Sequence, residues 1–251
     1  MNIVELDNIV ELNGVSKTYH RHGGRLLLRN RAKELVSGRR PETFAALKNI
    51  TFELKRGESV AVIGQNGAGK STLLSLLAGL SKPTTGSVFV NGRIAALLEL
   101  GSGFHPDLTG AENVTLNAAL LGLTRKRTTE IFDQIIDFSG IEPEFVNEPL
   151  RTYSTGMTMR LAFSVAINVD PDLLLVDEVL AVGDAAFQEK CFRRIREFRQ
   201  SGKSLFCVSH ASGMVQELCD RAIWLDHGEM VMSGAITEVV EAYHGRNAIP
   251  A

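Results

Sequence analysis

The chain has 251 residues, enough to bury a sizeable core as one large domain or two small ones without disulfide staples. Its 27 basic and 29 acidic residues leave a net charge of -2, which argues against a general nucleic-acid binder. Cys191, Cys207 and Cys219 show neither CxxC pairing nor a histidine cluster, so neither a disulfide framework nor a zinc site is supported, and a reducing compartment fits.

The opening run, "MNIVELDNIVEL", carries Glu5 and Asp7 where a signal peptide needs a basic start and an apolar stretch. No uncharged run approaches the roughly 18 apolar residues of a membrane span, so the sequence reads as neither secreted nor membrane-spanning by itself. The pentapeptide "NIVEL" recurs at 2–6 and 8–12, a short tandem copy on which no structural reading rests.

Strand patterns cover 9–19 and 46–55, with a turn at Arg56-Gly57 and a short apolar β-rich run, "SVAVIG", at 59–64. Between the first two lies "HRHGGRLLLRNRAKELVSGRRP", 20–41, with seven Arg and Lys against Glu34 alone. This locally basic run reads as an insertion with a short amphipathic helix; its charge is that of a solvated loop, or of a surface facing anionic lipid headgroups or a pyrophosphate. The segment "GSVFVNGRIAALLEL", 86–100, is strand-like. A Gly-rich turn follows, then a mainly helical stretch from Thr109 to Asn168, whose start is marked by Thr109-Gly-Ala-Glu112 with capping-box spacing. Strand character returns at 172–178, 204–210 and 222–232, the last with a hairpin turn at His227-Gly228. Alternating strands and helices predict an α/β fold with a mostly parallel sheet covered on both faces and interrupted by a helical insertion.

"GQNGAGKST", Gly64 to Thr72, matches G-x-x-x-x-G-K-[ST] between an apolar strand and a helical run. Gly64, Gly67 and Gly69 let backbone amides converge on phosphate oxygens at a helix N-terminus. Lys70 is placed for the β- and γ-phosphates and Ser71 for Mg²⁺. Asn66, Ala68 and Thr72 complete the candidate nucleotide-binding run. Asp177 ends the apolar strand "LLLV" as a Walker B carboxylate would, and Glu178 follows as a candidate general base. In isolation an Asp-Glu pair at a strand end is as often a solvated cap; the P-loop partner shifts that balance. His210 ends the next strand run and, if the strands are parallel, lies on the same sheet edge, within reach of a γ-phosphate. The neighbouring Ser209 makes a poor hydrolase pair with it, because adjacent strand residues face opposite sides.

A P-loop and an acidic strand end fit several NTPase classes, but "YSTGM", residues 153–157, heads a helix upstream of Asp177. That arrangement resembles the ABC ATPases, whose signature pentapeptide occupies this position. Ser154 and Gly156 match the family's Ser and second Gly, whereas Tyr153, Thr155 and Met157 depart from its commonest form. The resemblance implies a P-loop NTPase of ABC type, with a mostly parallel core sheet, an antiparallel β subdomain and a helical subdomain. It also implies a Ser154-Thr155-Gly156 tip that contacts the nucleotide of a second copy, Tyr19 stacked on adenine, Asp184 as the D-loop aspartate and His210 as the switch histidine. The Q-loop glutamine is absent. The corresponding stretch is "LLELGSGFHPDLTGAENV", with Glu99 or Leu100 nearest its position and Glu99 the candidate metal-side residue.

"YSTGM…RLAFSVA", "VDEVLAVGDAAFQEKC" and "LLELGSGFHPDLTG" are similar to the ATP-binding subunits of bacterial exporters of O-antigen, capsule and teichoic acid. The likeness runs from about Val10 to Gly234. It implies one ABC ATPase domain over 1–251, a basic insertion at 20–45, a helical subdomain at about 99–168 and a short C-terminal extension at 235–251, too small for the carbohydrate-binding domain that some of these exporters append. The implied cofactors are ATP and Mg²⁺. The implied partners are a second copy, a transmembrane permease and, indirectly, a lipid-linked polysaccharide, with no nucleic acid, at the cytoplasmic face of the bacterial inner membrane as a peripheral subunit. An ABC ATPase doing mechanical work on DNA or the ribosome would call for a long coiled coil or a second cassette, and neither is in the sequence. A P-loop kinase or small GTPase would not need "YSTGM", and the catalytic set argues against a regulatory module that binds nucleotide without turnover.

Overall fold

A computed structural model describes residues 7–20, 43–98, 100–177, 183–208 and 212–247. Residues 21–42, which hold all of the basic run 20–41 but His20, and the candidate site residues Glu99, Glu178 and His210 lie outside the described residues.

The strand β1 (Asn8–His20) pairs antiparallel with β2 (Thr43–Lys55) on one side and β4 (Thr85–Val90) on the other, forming a three-stranded sheet in the order β2-β1-β4. In β2, Ile50, Phe52 and Leu54 are buried while Thr51, Glu53 and Lys55 are exposed, the period-two alternation of a sheet with one dry face. The second sheet has six strands in the order β5-β6-β7-β3-β8-β9. It is built from β3 (Ser59–Ile63), β5 (Ile94–Ala96), β6 (Leu173–Val176), β7 (Ser204–Val208), β8 (Arg221–Asp226) and β9 (Glu229–Ala235). All neighbouring pairs are parallel except the β8–β9 hairpin. Every residue of β3, β6 and β7 is buried, as expected of parallel strands covered on both faces.

Each face has its own core. Val60, Val62, Leu173, Leu175, Phe206 and Val208 face the antiparallel sheet and the helix α1 (Lys70–Leu77), which buries Leu73, Leu74, Leu76 and Leu77. The alternate residues Ala61, Ile63, Leu174, Val176, Leu205 and Cys207 face the remaining helices. These are α2 (Gly110–Leu120), α3 (Arg125–Ser139), the short α4 (Pro143–Val146), α5 (Thr155–Asn168), α6 (Ala185–Gln200), α7 (Ser212–Leu218) and α8 (Ile236–Asn247). In α6, Phe187, Cys191, Ile195 and Phe198 are buried at helical spacing. Three rings join α3, α5 and α6: Phe163 stacks on Phe138 at 6.0 Å, and Phe187 meets both edge-on at 6.1 and 5.9 Å.

The strand-like run 86–100 divides between the two sheets, β4 joining the antiparallel one and β5 the edge of the parallel one. The division is made at Gly92, whose φ is +138°, and is held by Asp172, whose carboxylate accepts the Arg93 amide at 2.8 Å. The helical stretch after Thr109 starts as the sequence predicts. Thr109 Oγ1 accepts the Glu112 amide at 3.1 Å, and the Glu112 carboxylate accepts the Thr109 amide at 2.8 Å. The predicted hairpin turn is present, with φ of +48° at His227 and +82° at Gly228, the left-handed pair that matches strand twist. Residues 236–247 of the expected C-terminal extension form α8, which buries Ile236, Val239 and Val240 and sets Tyr243 edge-on to Trp224 at 5.6 Å.

The three cysteines are buried free thiols. Burial pushes the Cys191 thiol up to about 12, and a hydrogen bond with the Cys207 thiol, followed by burial, pushes Cys219 well above its ordinary value, the marks of inert core thiols. Among the described residues no helix is long and apolar enough to cross a membrane.

Candidate nucleotide-binding site

The loop between β3 and α1 owes its shape to its glycines, each for a separate reason. Gly64, at φ +152°, packs against the Leu225 carbonyl so closely that a Cβ would overlap it. A Cβ on Gly69, at φ +108°, would lie 2.5 Å from the Ala46 carbonyl oxygen and 2.9 Å from the Leu47 side chain. Gly67, at φ +82°, has nothing within 4 Å of where a Cβ would be; it forms the outer lip of the loop and needs glycine for its backbone angle alone. Gln65, Asn66 and Gly67 are exposed, whereas Ala68 is buried.

Gly69 is the N-cap of α1 and offers no side chain to the first amides of the helix. Those donors and the positive end of the helix dipole are what an anion needs. Lys70 is buried at 6% exposure, and its ammonium donates to the Gly64 carbonyl at 2.7 Å and the Gln65 carbonyl at 3.0 Å. A cation is thereby held inside the curl of the loop. Ser71 is exposed one residue further on, and Thr72 is half-buried.

Asp177 follows β6 directly and is half-buried. Val176 is in register with Cys207, and Cys207 with Ala61, so β6, β7 and β3 end together and Asp177 leaves the sheet at the edge where the loop begins. β7 ends at Val208 on that edge. Among the described residues no three His, Cys, Asp or Glu side chains cluster as a metal site. Among the described residues, Ser71 at the start of α1 and Asp177 on the same sheet edge are sparse hard oxygen donors, which fits an ion that keeps most of its shell as water and substrate phosphate, as Mg²⁺ does.

Ser154 is the N-cap of α5 and accepts the Met157 amide at 3.2 Å. Ser154 and Thr155 are exposed, and a Cβ on Gly156 would meet only Ser154 Oγ, at 3.8 Å. The helix tip is thus open. Behind it Tyr153 is buried, donates its hydroxyl to the Phe145 carbonyl at 2.7 Å and packs against Gly110. Burial raises its phenol above the ordinary value. Tyr153, by sequence only a departure from the commonest signature, is the anchor of the tip, a role the sequence reading missed; the one signal for it was an aromatic placed directly before a Ser-Thr-Gly run.

The loop 100–109 has an organiser that the sequence reading missed. Asn113 on α2 is fully buried; its amide nitrogen lies 3.0 Å from each of the His105, Leu108 and Thr109 carbonyls, and its oxygen accepts the His105 amide at 2.7 Å. The loop is fastened to the segment before the α5 tip through Leu150 N to Leu108 O and Arg151 N to Pro106 O, both 2.9 Å, and an Arg151–Asp107 ion pair of 2.6 Å.

Asp184 is the N-cap of α6. One carboxylate oxygen accepts the Phe187 amide at 2.9 Å, and the other accepts Arg160 at 2.6 Å. Tyr19, at the far end of β1, is 43% exposed, sits opposite Phe44 of β2 and has the Lys17 ammonium over its ring at 5.1 Å. Two residues along β2, Ala46 touches Gly69, so the exposed aromatic pair stands beside the loop.

The family model of the ABC transporter matches residues 47–181. Over 213 residues the chain is 49% identical to the O-antigen export system ATP-binding protein RfbB of Klebsiella pneumoniae, covering 85% of each. It is 43% identical over 198 residues to the teichoic acids export ATP-binding protein TagH of Bacillus cereus, covering 79% of this chain and 36% of that one. Among solved structures, the dimeric ATP-binding cassette MJ0796 bound to ADP and phosphate superposes with a TM-score of 0.71 at 24% identity, over 90% of this chain and 98% of that one. Another ATP-binding subunit of an ABC transporter gives 0.73 at 21% identity, over 96% and 95%. A glycine loop around a buried lysine, a carboxylate on the same sheet edge and an open helix tip thus coincide with that match, and the chain belongs to the ABC transporter family as an ATP-hydrolysing cassette.

Proposed function

We propose that this cassette powers export of a lipid-linked polysaccharide of the O-antigen, capsule or teichoic acid type across the bacterial inner membrane, working at its cytoplasmic face with a second copy of itself and a separate transmembrane permease. The observation that carries the reading is the open tip of α5: Ser154, Thr155 and Gly156 present a hydroxyl and helix-terminal amides to solvent, the groups that bind an anion. Relatives named for O-antigen and teichoic acid export, at 49% and 43% identity, support the choice of cargo. Exposed Leu116 and Leu120 on one face of α2, beside the loop that Asn113 organises, support that region as the permease contact.

In this reading the amides of Gly64 to Thr72 and the Lys70 ammonium hold the nucleotide phosphates, the ammonium exchanging its two loop carbonyls for phosphate oxygens. Ser71 and Asp177 hold Mg²⁺, which when bound neutralises phosphate charge. Tyr19 packs on the adenine. Glu178 takes a proton from the attacking water, and His210 contacts the γ-phosphate of the same site. The tip of α5 in one protomer completes the site of its partner, so closure of the pair is coupled to hydrolysis.

The test measures ATP turnover against protein concentration for the wild type and for Ser154→Ala combined with Gly156→Asp. A rate that rises faster than linearly, and falls at least about a hundredfold in the double variant while nucleotide binding persists, is expected. A rate strictly proportional to concentration and indifferent to both substitutions sinks the paired mechanism. Purification from membranes tests the cargo, which requires a permease subunit carrying a lipid-linked saccharide.

A further inference from the structure

Arg160 lies on α5, six residues after Ser154, and its guanidinium crosses to the start of α6. There it makes three contacts at once. It donates to Asp184 at 2.6 Å, lies over the Phe187 ring with 5.4 Å to the centroid, and packs its Nε against Gly183, where a Cβ would stand 3.2 Å away. That Nε is buried and makes no hydrogen bond. Gly183 has φ of +75°, so glycine suits the position both for its backbone angle and for the room it leaves the guanidinium. Asp184 has both carboxylate oxygens engaged, one by the first turn of α6 and one by Arg160.

The geometry points to Arg160 as a positioning residue that latches the signature tip to the Asp184 segment, so that the two enter the partner's site as one rigid unit. The inference rests on the paired-cassette reading above and adds to it the means by which the two segments stay in step. Asp184 has a negative charge that would repel the phosphates of a facing nucleotide; pairing with Arg160 neutralises it and aims it. The planar guanidinium suits this task in a way an ammonium does not, because it donates to the carboxylate while stacking on Phe187. The side chain is only partly shielded, so its role is in geometry more than in overall stability.

The test uses the full chain with Arg160→Ala, Arg160→Lys, Asp184→Ala and the Arg160→Ala/Asp184→Ala double variant. Three quantities are read: affinity for a fluorescent ATP analogue at protein concentrations too low for pairing, kcat, and the protein concentration that gives half-maximal turnover. Arg160→Ala is expected to bind nucleotide within about twofold of wild type, yet to lose about tenfold or more in kcat and to need more protein for half-maximal turnover. Arg160→Lys should recover part of that loss. The double variant should lose no more than the worse single one, because both remove the same contact. Wild-type turnover in Arg160→Ala, or fully additive losses in the double variant, overturns the latch. Should Arg160→Ala fail to fold, Arg160→Lys decides: unchanged kcat and pairing overturn the latch, and a loss in both supports it. Insensitivity to Ser154→Ala with Gly156→Asp would instead condemn the paired mechanism, whereas the coupling of Arg160 to Asp184 is judged on its own numbers.

Discussion

Gly228 donates its amide to the Ala68 carbonyl at 3.0 Å, so the β8–β9 turn is hydrogen-bonded to the phosphate loop. The Gly228 carbonyl in turn accepts the Lys48 amide of β2 at 2.8 Å. One glycine therefore ties the phosphate loop, the parallel sheet and the antiparallel sheet together at the point where α1 begins.

Gly228→Ala tests that tie. The residue has φ of +82°, and a Cβ would lie 2.7 Å from the Ala46 carbonyl oxygen, so backbone strain and overlap act together. The expected cost is about 1–3 kcal/mol of stability, together with weaker nucleotide binding as the loop is displaced. Denaturant unfolding followed by nucleotide titration checks it; unchanged affinity in a destabilised variant would show that the turn supports the fold without shaping the loop.

Asn113 separates donor chemistry from volume. Asn113→Ala takes the acceptor from the His105 amide and the side-chain donor from the His105, Leu108 and Thr109 carbonyls, which keep their backbone donors, an expected loss of about 1–3 kcal/mol. Asn113→Asp keeps the shape but turns a donating amide into an acceptor facing three carbonyls, and should be the worse of the two at neutral pH. Comparing their unfolding midpoints decides, since equal losses would mean that packing alone sets the value of the position.

The Glu112 carboxyl titrates below its ordinary value of 4.5 because it accepts the Thr109 amide and then the Thr109 hydroxyl. Between the folded and unfolded values the unfolded chain binds more protons, so the capping contribution is fully present above about pH 4.5 and is lost as pH falls through the lower, folded value. Glu112→Gln keeps an acceptor that does not titrate. The stability advantage of the wild type over this variant should therefore be larger at about pH 7 than at about pH 4, measured by chemical denaturation in matched buffers; a gap that does not change with pH would remove the carboxylate from the capping box.

The features legible in sequence are those whose causes lie within a few residues. The loop of Gly64 to Lys70 needs a strand, left-handed glycines and a helix start, all contiguous. The Thr109–Glu112 capping box closes over three residues, and His227-Gly228 selects its own turn. The continuous apolar runs of β3, β6 and β7 were equally local, and their alternation with helical segments predicts a mostly parallel sheet with two covered faces. Tertiary structure decided what depends on distant partners. The run 86–100 was strand-like throughout; it divides between two sheets at Gly92, where Asp172, 79 residues beyond Arg93, holds the break. Asp184 reads by resemblance as the D-loop aspartate, but its pairing with Arg160, 24 residues earlier, is visible only in the fold. Local propensity is settled by a residue and its neighbours along the chain, whereas the pairing of buried charges, carbonyls and strand edges is settled by which surfaces the hydrophobic cores bring together.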